Sequence, residues 1–151
     1  MGKIKLFLVI ITAAVILVIT FAGVSCTTPV EDGDTEQPGQ LTYVTWVLQS
    51  YGEPDNLTLA VPDAQVTLTF RSIQMSFDGF GGVNYFGGDY EVDGDKLTIT
   101  NLISTLLGGQ EPLRGQEITY FRILQAAQTY QIVGEMLTIT GTEGILVFTK
   151  E

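Results

Sequence analysis

One pattern occurs twice in the chain, and it restricts the fold more than any other feature. Tyr90-Glu91-Val92-Asp93-Gly94-Asp95-Lys96-Leu97-Thr98-Ile99-Thr100 is matched by Tyr130-Gln131-Ile132-Val133-Gly134-Glu135-Met136-Leu137-Thr138-Ile139-Thr140. Each copy reads as a short strand, a tight turn and a second strand that puts Leu and Ile on one face and Thr on the other. Asp93-Gly94 is a hairpin signal, because the favoured two-residue turns need positive φ, and Gly134 supplies the same freedom. Other segments repeat the theme. Val66, Leu68 and Phe70 alternate with Thr67 and Thr69; Thr42 to Leu48 is β-rich around Trp46; Ile145 to Thr149 follows a turn from Gly141 to Gly144. Between the repeats, Gln116 to Gln128 holds neither Gly nor Pro, and Tyr120, Phe121, Leu124, Ala127 and Gln128 recur at helical spacing. A helix that short is marginal alone and must gain stability by packing, as a plug or lid across a sheet opening. Many short strands with one helix predict a small all-β antiparallel barrel or sandwich, and closing the sheet would protect its edges.

The N-terminal part has a different character. Lys3 and Lys5 precede an apolar run from Leu6 to Val24, followed by Ser25 and Cys26. A basic start, an apolar stretch and a small residue form a secretory signal over residues 1–25. The alternative is a retained membrane-spanning helix, since the run approaches the ~20 residues that a bilayer needs. Either way the positive-inside tendency keeps the lysines cytoplasmic and places the rest outside. Cys26 is the only cysteine, so it has no internal disulfide partner. Gly23-Val24-Ser25-Cys26 resembles the lipobox of bacterial lipoproteins, although Gly23 stands where a larger aliphatic is usual. That resemblance implies that Cys26 carries lipid and becomes the mature N-terminus, with a free exposed thiol as the other reading. Residues 26–40 are rich in Thr, Pro, Gly, Asp and Glu and have little to bury, which reads as an acidic tether to a domain spanning 41–151.

Charge and composition narrow the function. All 17 acidic residues lie after residue 30, whereas Lys3 and Lys5 of the 7 basic residues belong to the leader. Such a surface repels nucleic acid and anionic headgroups, so the membrane link is expected through lipid on Cys26 rather than through the domain. Histidine is absent, which removes histidine-based nucleophile activation and the usual zinc ligand sets. Asp78, Asp89, Glu91, Asp93 and Asp95 could in principle supply a glycosidase pair or a calcium site. Yet Asp93 and Asp95 flank a hairpin glycine, where carboxylates serve the turn, and regularly spaced oxygen ligands are lacking. No enzyme activity, cofactor or metal is expected. The aromatic residues Phe77, Phe80, Tyr85, Phe86 and Tyr90 crowd among glycines. They either fill the barrel or form a partner surface, and Phe80, Asn84, Tyr85 and Phe86 are the candidate binding residues.

Taken in order, Trp46-Val47-Leu48, the Val66 to Phe70 strand, Gly82-Val83-Asn84-Tyr85-Phe86-Gly87, Leu102-Ile103-Ser104-Thr105, the helix and the strands around Leu137 and Phe148 resemble the META domain of heat-shock-inducible bacterial lipoproteins. The resemblance covers Leu41 to Lys150. It implies a lipocalin-like barrel with a short helix, a role in the envelope and stress tolerance, and no established catalysis. Members often carry cysteines where this chain has Val83 and Gly109, and their joint absence fits positions that normally pair. With no second thiol, a redox role is excluded. The expected function is that of a monomeric, membrane-anchored, extracytoplasmic lipoprotein working by contact with an unknown envelope protein. The alternatives are a small-ligand carrier that uses the barrel mouth and an inhibitor of a cell-wall hydrolase.

Overall fold

A computed structural model describes residues 40–151. The leader, Cys26 and the tether as far as residue 39 lie outside the described residues. The strands are β1 (Thr45–Glu53), β2 (Asn56–Leu59), β3 (Thr67–Arg71), β4 (Ser76–Phe80), β5 (Tyr85–Asp93), β6 (Lys96–Ser104), β7 (Ala127–Val133), β8 (Met136–Gly141) and β9 (Gly144–Lys150), with helix α1 (Leu113–Gln125) between β6 and β7. Sheet order is β2-β1-β3-β4-β5-β6-β7-β8-β9, and β1 also pairs with β9. Eight antiparallel strands therefore close a barrel, as expected. The short β2 was not expected from the sequence. It folds back on β1 through Ser50↔Leu59 to Glu53↔Asn56, beyond the stretch of β1 that pairs with β3 at Thr45 to Val47.

The repeat becomes two hairpins in equivalent registers. Tyr90↔Ile99 and Val92↔Leu97 in one match Tyr130↔Ile139 and Ile132↔Leu137 in the other. Their turn glycines have φ of 63° at Gly94 and 58° at Gly134, a region costly for any residue with a Cβ.

Alternation sends one face of each strand inward. Trp46, Leu68, Phe70, Phe77, Leu97, Leu137, Ile139, Leu146 and Phe148 are all buried there. Trp46 also donates its indole N–H to the Leu41 carbonyl at 3.0 Å, which ties the entering chain to the barrel. Helix α1 closes one mouth by burying Tyr120, Ile123 and Leu124. Their side chains pack together in this interior as one apolar core.

The helix is displaced by three residues from its predicted span. It starts at Leu113 and includes Gly115, while Ala127 and Gln128 join β7. The shift arises because Ala127 pairs with Gly141, so a sheet ladder competes successfully for the last predicted turn.

Candidate functional site: a polar brace beneath an apolar trough

The site lies at the end of the barrel that α1 covers. Gln116 and Glu117 sit on the inward helix face with Tyr120, Ile123 and Leu124, although both are polar. Buried polar groups persist where they are bonded, and Glu117 is well supplied. Its Oε1 accepts the backbone N–H of Asn84 at 2.6 Å and that of Val83 at 3.1 Å, while its Oε2 accepts Asn84 Nδ2 at 2.7 Å. Asn84 passes the connection on. Its Oδ1 accepts the Thr105 hydroxyl at 2.9 Å and the Leu107 N–H at 2.7 Å. A single carboxylate thus fastens α1 to the β4–β5 turn, and one amide fastens that turn to the segment after β6. Beside them, Gln116 Oε1 accepts the Val61 N–H at 2.6 Å and holds the β2–β3 connection under the helix.

Close packing seals the brace. A Cβ placed on Gly81 would come within 2.5 Å of Glu117 Oε1, so only glycine lets the carboxylate lie against the backbone there. Phe121 stacks edge-on against Phe86 at 5.1 Å between ring centroids, and Tyr120 meets Phe86 at 5.6 Å.

Among the described residues, the buried Tyr120 hydroxyl has no hydrogen-bond partner. Burial raises its pKa well above the ordinary tyrosine value of 10.0, because the phenolate would lack water. With the folded value raised, this stability contribution is complete below pH 10.0 and disappears as pH climbs above it. Tyr120→Phe is expected to be neutral or stabilising by up to about 1 kcal/mol at pH 7, because it removes an unpaired polar group. Its unfolding midpoint in urea should also fall less between pH 9 and pH 11 than that of the wild type.

Outside the brace the surface turns apolar. From Asn101 to Gln110 the chain carries no charge. Leu106 is 96% exposed and Ile103 73%, with Leu107, Ile118 and Tyr85 also exposed. Two grooves share Ser104 and Thr105. The larger, about 530 Å³, runs between Leu106 to Gly109 and the helix residues Arg114, Ile118 and Phe121. The smaller, about 300 Å³, lies over Gly87 between Tyr85 and Ile103. A third hollow continues past Ile118 and Phe121 to Gln125 and Glu143.

The four candidate binding residues divide between these two layers. Asn84 and Phe86 are buried, the first as a structural brace and the second in the aromatic stack. Phe80 and Tyr85 pair across β4 and β5 with centroids 5.1 Å apart, and Tyr85 faces solvent. Phe77 and Tyr90 are core residues, with Tyr90 edge-on to Phe70 at 4.9 Å. Strand alternation separates neighbours Tyr85 and Phe86 onto opposite faces. Sequence reasoning missed Glu117, Leu106, Leu107 and Ile118. A signal existed for Glu117, which precedes Tyr120 and Leu124 at helical spacing and so falls on the inward face.

Val83 and Gly109, the two positions where the family resemblance implied paired cysteines, meet at this site. A Cβ added to Gly109 would sit 3.3 Å from the Cβ of Val83 and 2.5 Å from its Cγ2. The isopropyl group of Val83 occupies the space beside Gly109.

Comparisons with known proteins agree with this architecture. The chain is similar to a protein from Burkholderia xenovorans solved by NMR, with 24% identity and a TM-score of 0.63 over 74% of this chain and 83% of that one. It is also similar to a duf4847 family protein from Bacteroides vulgatus, with 16% identity and a TM-score of 0.55 over 72% and 93% of the two chains. At these identities the likeness speaks for the fold alone. No curated protein matches the sequence. The profile of the META domain matches residues 39–151, which takes in the whole barrel and its helix, and the chain belongs to the META domain family.

Proposed function

We propose that this protein is a lipid-anchored envelope protein that works without catalysis, by holding a partner protein against the apolar trough around Leu106, Leu107 and Ile118, in the service of envelope stress tolerance. The observation that carries the contact reading is the exposure of those side chains on an uncharged stretch of an otherwise acidic chain. Isolated exposed apolar residues are ordinary, but a cluster beside a groove is the surface that partners bury. The apolar core packed inside the barrel favours contact at the surface over carriage of a small ligand. Placement outside the cytoplasm rests on the leader and Cys26. Several acyl chains on that sulfur anchor the protein firmly, since each buried methylene contributes ~0.8 kcal/mol.

Two experiments separate the parts of this reading. Growth with an alkyne-bearing palmitate is expected to label the wild-type protein in the membrane fraction and not Cys26→Ser. Intact-mass measurement of membrane-bound protein with an unmodified Cys26 would end the lipoprotein reading. Deleting the gene is expected to lower survival under envelope-directed antibiotics or heat, and the defect should persist when Leu106→Asp is supplied in place of the wild type. Full rescue by Leu106→Asp would remove the trough from the function.

A further inference from the structure

The barrel is closed unevenly. Strands β7 and β8 share six register pairs, β8 and β9 six, but β6 and β7 share only Lys96↔Thr129. Tyr130 donates its N–H to the Asp95 carbonyl at 2.8 Å, at the start of β6. Beyond that point β7 is replaced by α1, which contributes no ladder. Among the described residues, the second edge of β6 therefore runs toward Ser104 with no strand beside it. The direction of its groups follows from the first edge. Thr105 donates its N–H to the Tyr85 carbonyl at 2.9 Å, so Thr105 faces β5 and the backbone N–H and C=O of Ser104 turn the other way. That free edge opens on the trough walled by Leu107, Arg114, Ile118 and Phe121.

We propose that this edge is an acceptor for an extended polypeptide segment of another protein, which adds a strand beside β6 and places alternate apolar side chains in the trough. The proposal rests on the contact reading above and specifies the chemistry of that same site. Two features define the occupant. An unpaired strand edge offers backbone donors and acceptors at strand spacing, which an extended peptide satisfies and a lipid tail does not. The chain holds 17 acidic against 7 basic residues, so a cationic segment is attracted and an acidic one is repelled. The protein's own residues 27–40, with their acidic groups, Pro29 and Pro38, have the wrong charge and cannot donate along a ladder at the prolines.

The test uses the full chain in mild detergent and a set of synthetic eight-residue peptides in which Val, Leu, Ile or Phe alternates with Lys or Thr. Hydrogen exchange of the free protein is expected to show Ser104 exchanging at least tenfold faster than Tyr90 and Tyr130, whose N–H groups donate to the Met75 and Asp95 carbonyls within the sheet. Protection of Ser104 equal to theirs would mean that the edge is already occupied, and would overturn the proposal. The best-binding peptide is expected to slow exchange at Ser104 at least tenfold. Its copy with N-methyl groups on alternate amides should lose at least tenfold in affinity, since ladder bonds disappear while the side chains remain. Ser104→Pro removes the outward N–H and leaves the ladder to β5 intact, and it should abolish binding with an unchanged melting temperature. If that variant unfolds, Ile118→Asp on the opposite wall serves instead. The proposal falls if no peptide in the set binds at the trough, if the N-methylated copy binds as well as its parent, or if the folded variant binds like the wild type. A stress phenotype that depends on Leu106 would survive that failure and preserve the broader contact reading. Loss of the phenotype with intact peptide binding would do the reverse.

Discussion

Glu117→Ala is expected to lower the unfolding free energy by about 3–4 kcal/mol, the largest loss among substitutions outside the apolar core. The carboxylate accepts three hydrogen bonds, from Val83 N–H, Asn84 N–H and Asn84 Nδ2, and two of these donors belong to a buried residue. Truncation removes the acceptor of both backbone donors and leaves Asn84 Nδ2 only its long 3.4 Å bond to the Leu107 carbonyl, and each buried orphan costs ~1–3 kcal/mol, less where water can reach it. Glu117→Gln keeps a carbonyl oxygen for the two backbone donors but turns an amide toward Asn84 Nδ2. Its cost should be about 1–2 kcal/mol. Urea titrations of both variants give the comparison. If alanine costs no more than glutamine, the brace is not what holds α1 on the barrel.

The second large effect is a gain. Joining Val83→Cys with Gly109→Cys, in a chain carrying Cys26→Ser, is expected to form a disulfide that stabilises the domain by about 3–4 kcal/mol, the loop-closure value for a ring of this size. The geometry permits it, because the Cβ separation of 3.3 Å falls close to the ~3.5–4.5 Å range of native bridges. For a domain of this length the oxidised form should melt about 10–20 °C above the reduced form. Gly109→Ala alone should do the opposite, since its methyl meets Val83 and the loop must move. Equal melting temperatures with and without reductant, with the bridge confirmed by mass, would show that the two positions do not constrain each other in the unfolded chain.

Both predictions concern contacts between residues far apart in sequence, and this explains why the site was less legible than the fold. The hairpins could be read directly, because alternation and a turn glycine act within a few residues. The division of Tyr85 from Phe86 was also legible in principle, as strand neighbours must point to opposite faces. What escaped was the use of those faces. Glu117 finds its donors 33 residues away, and nothing local to Ile118 indicates that Leu107 lies across a groove from it. The helix ends were misplaced for a related reason, since the pairing of Ala127 with Gly141 is decided by β8 and not by helical spacing.

The repeated segment shows where the sequence stops being sufficient. Its two copies determine the same hairpin, with Leu97 and Leu137 buried at matching positions. Yet Tyr90 is 3% exposed beside Phe70, while the equivalent Tyr130 is only half-buried. Backbone sterics and the two-residue period act locally, so alternation, turns and the acidic charge balance belong to the sequence. Which strand lies beside which, where the barrel is left open, and what an exposed leucine faces depend on distant segments meeting. Only the closed fold decided those.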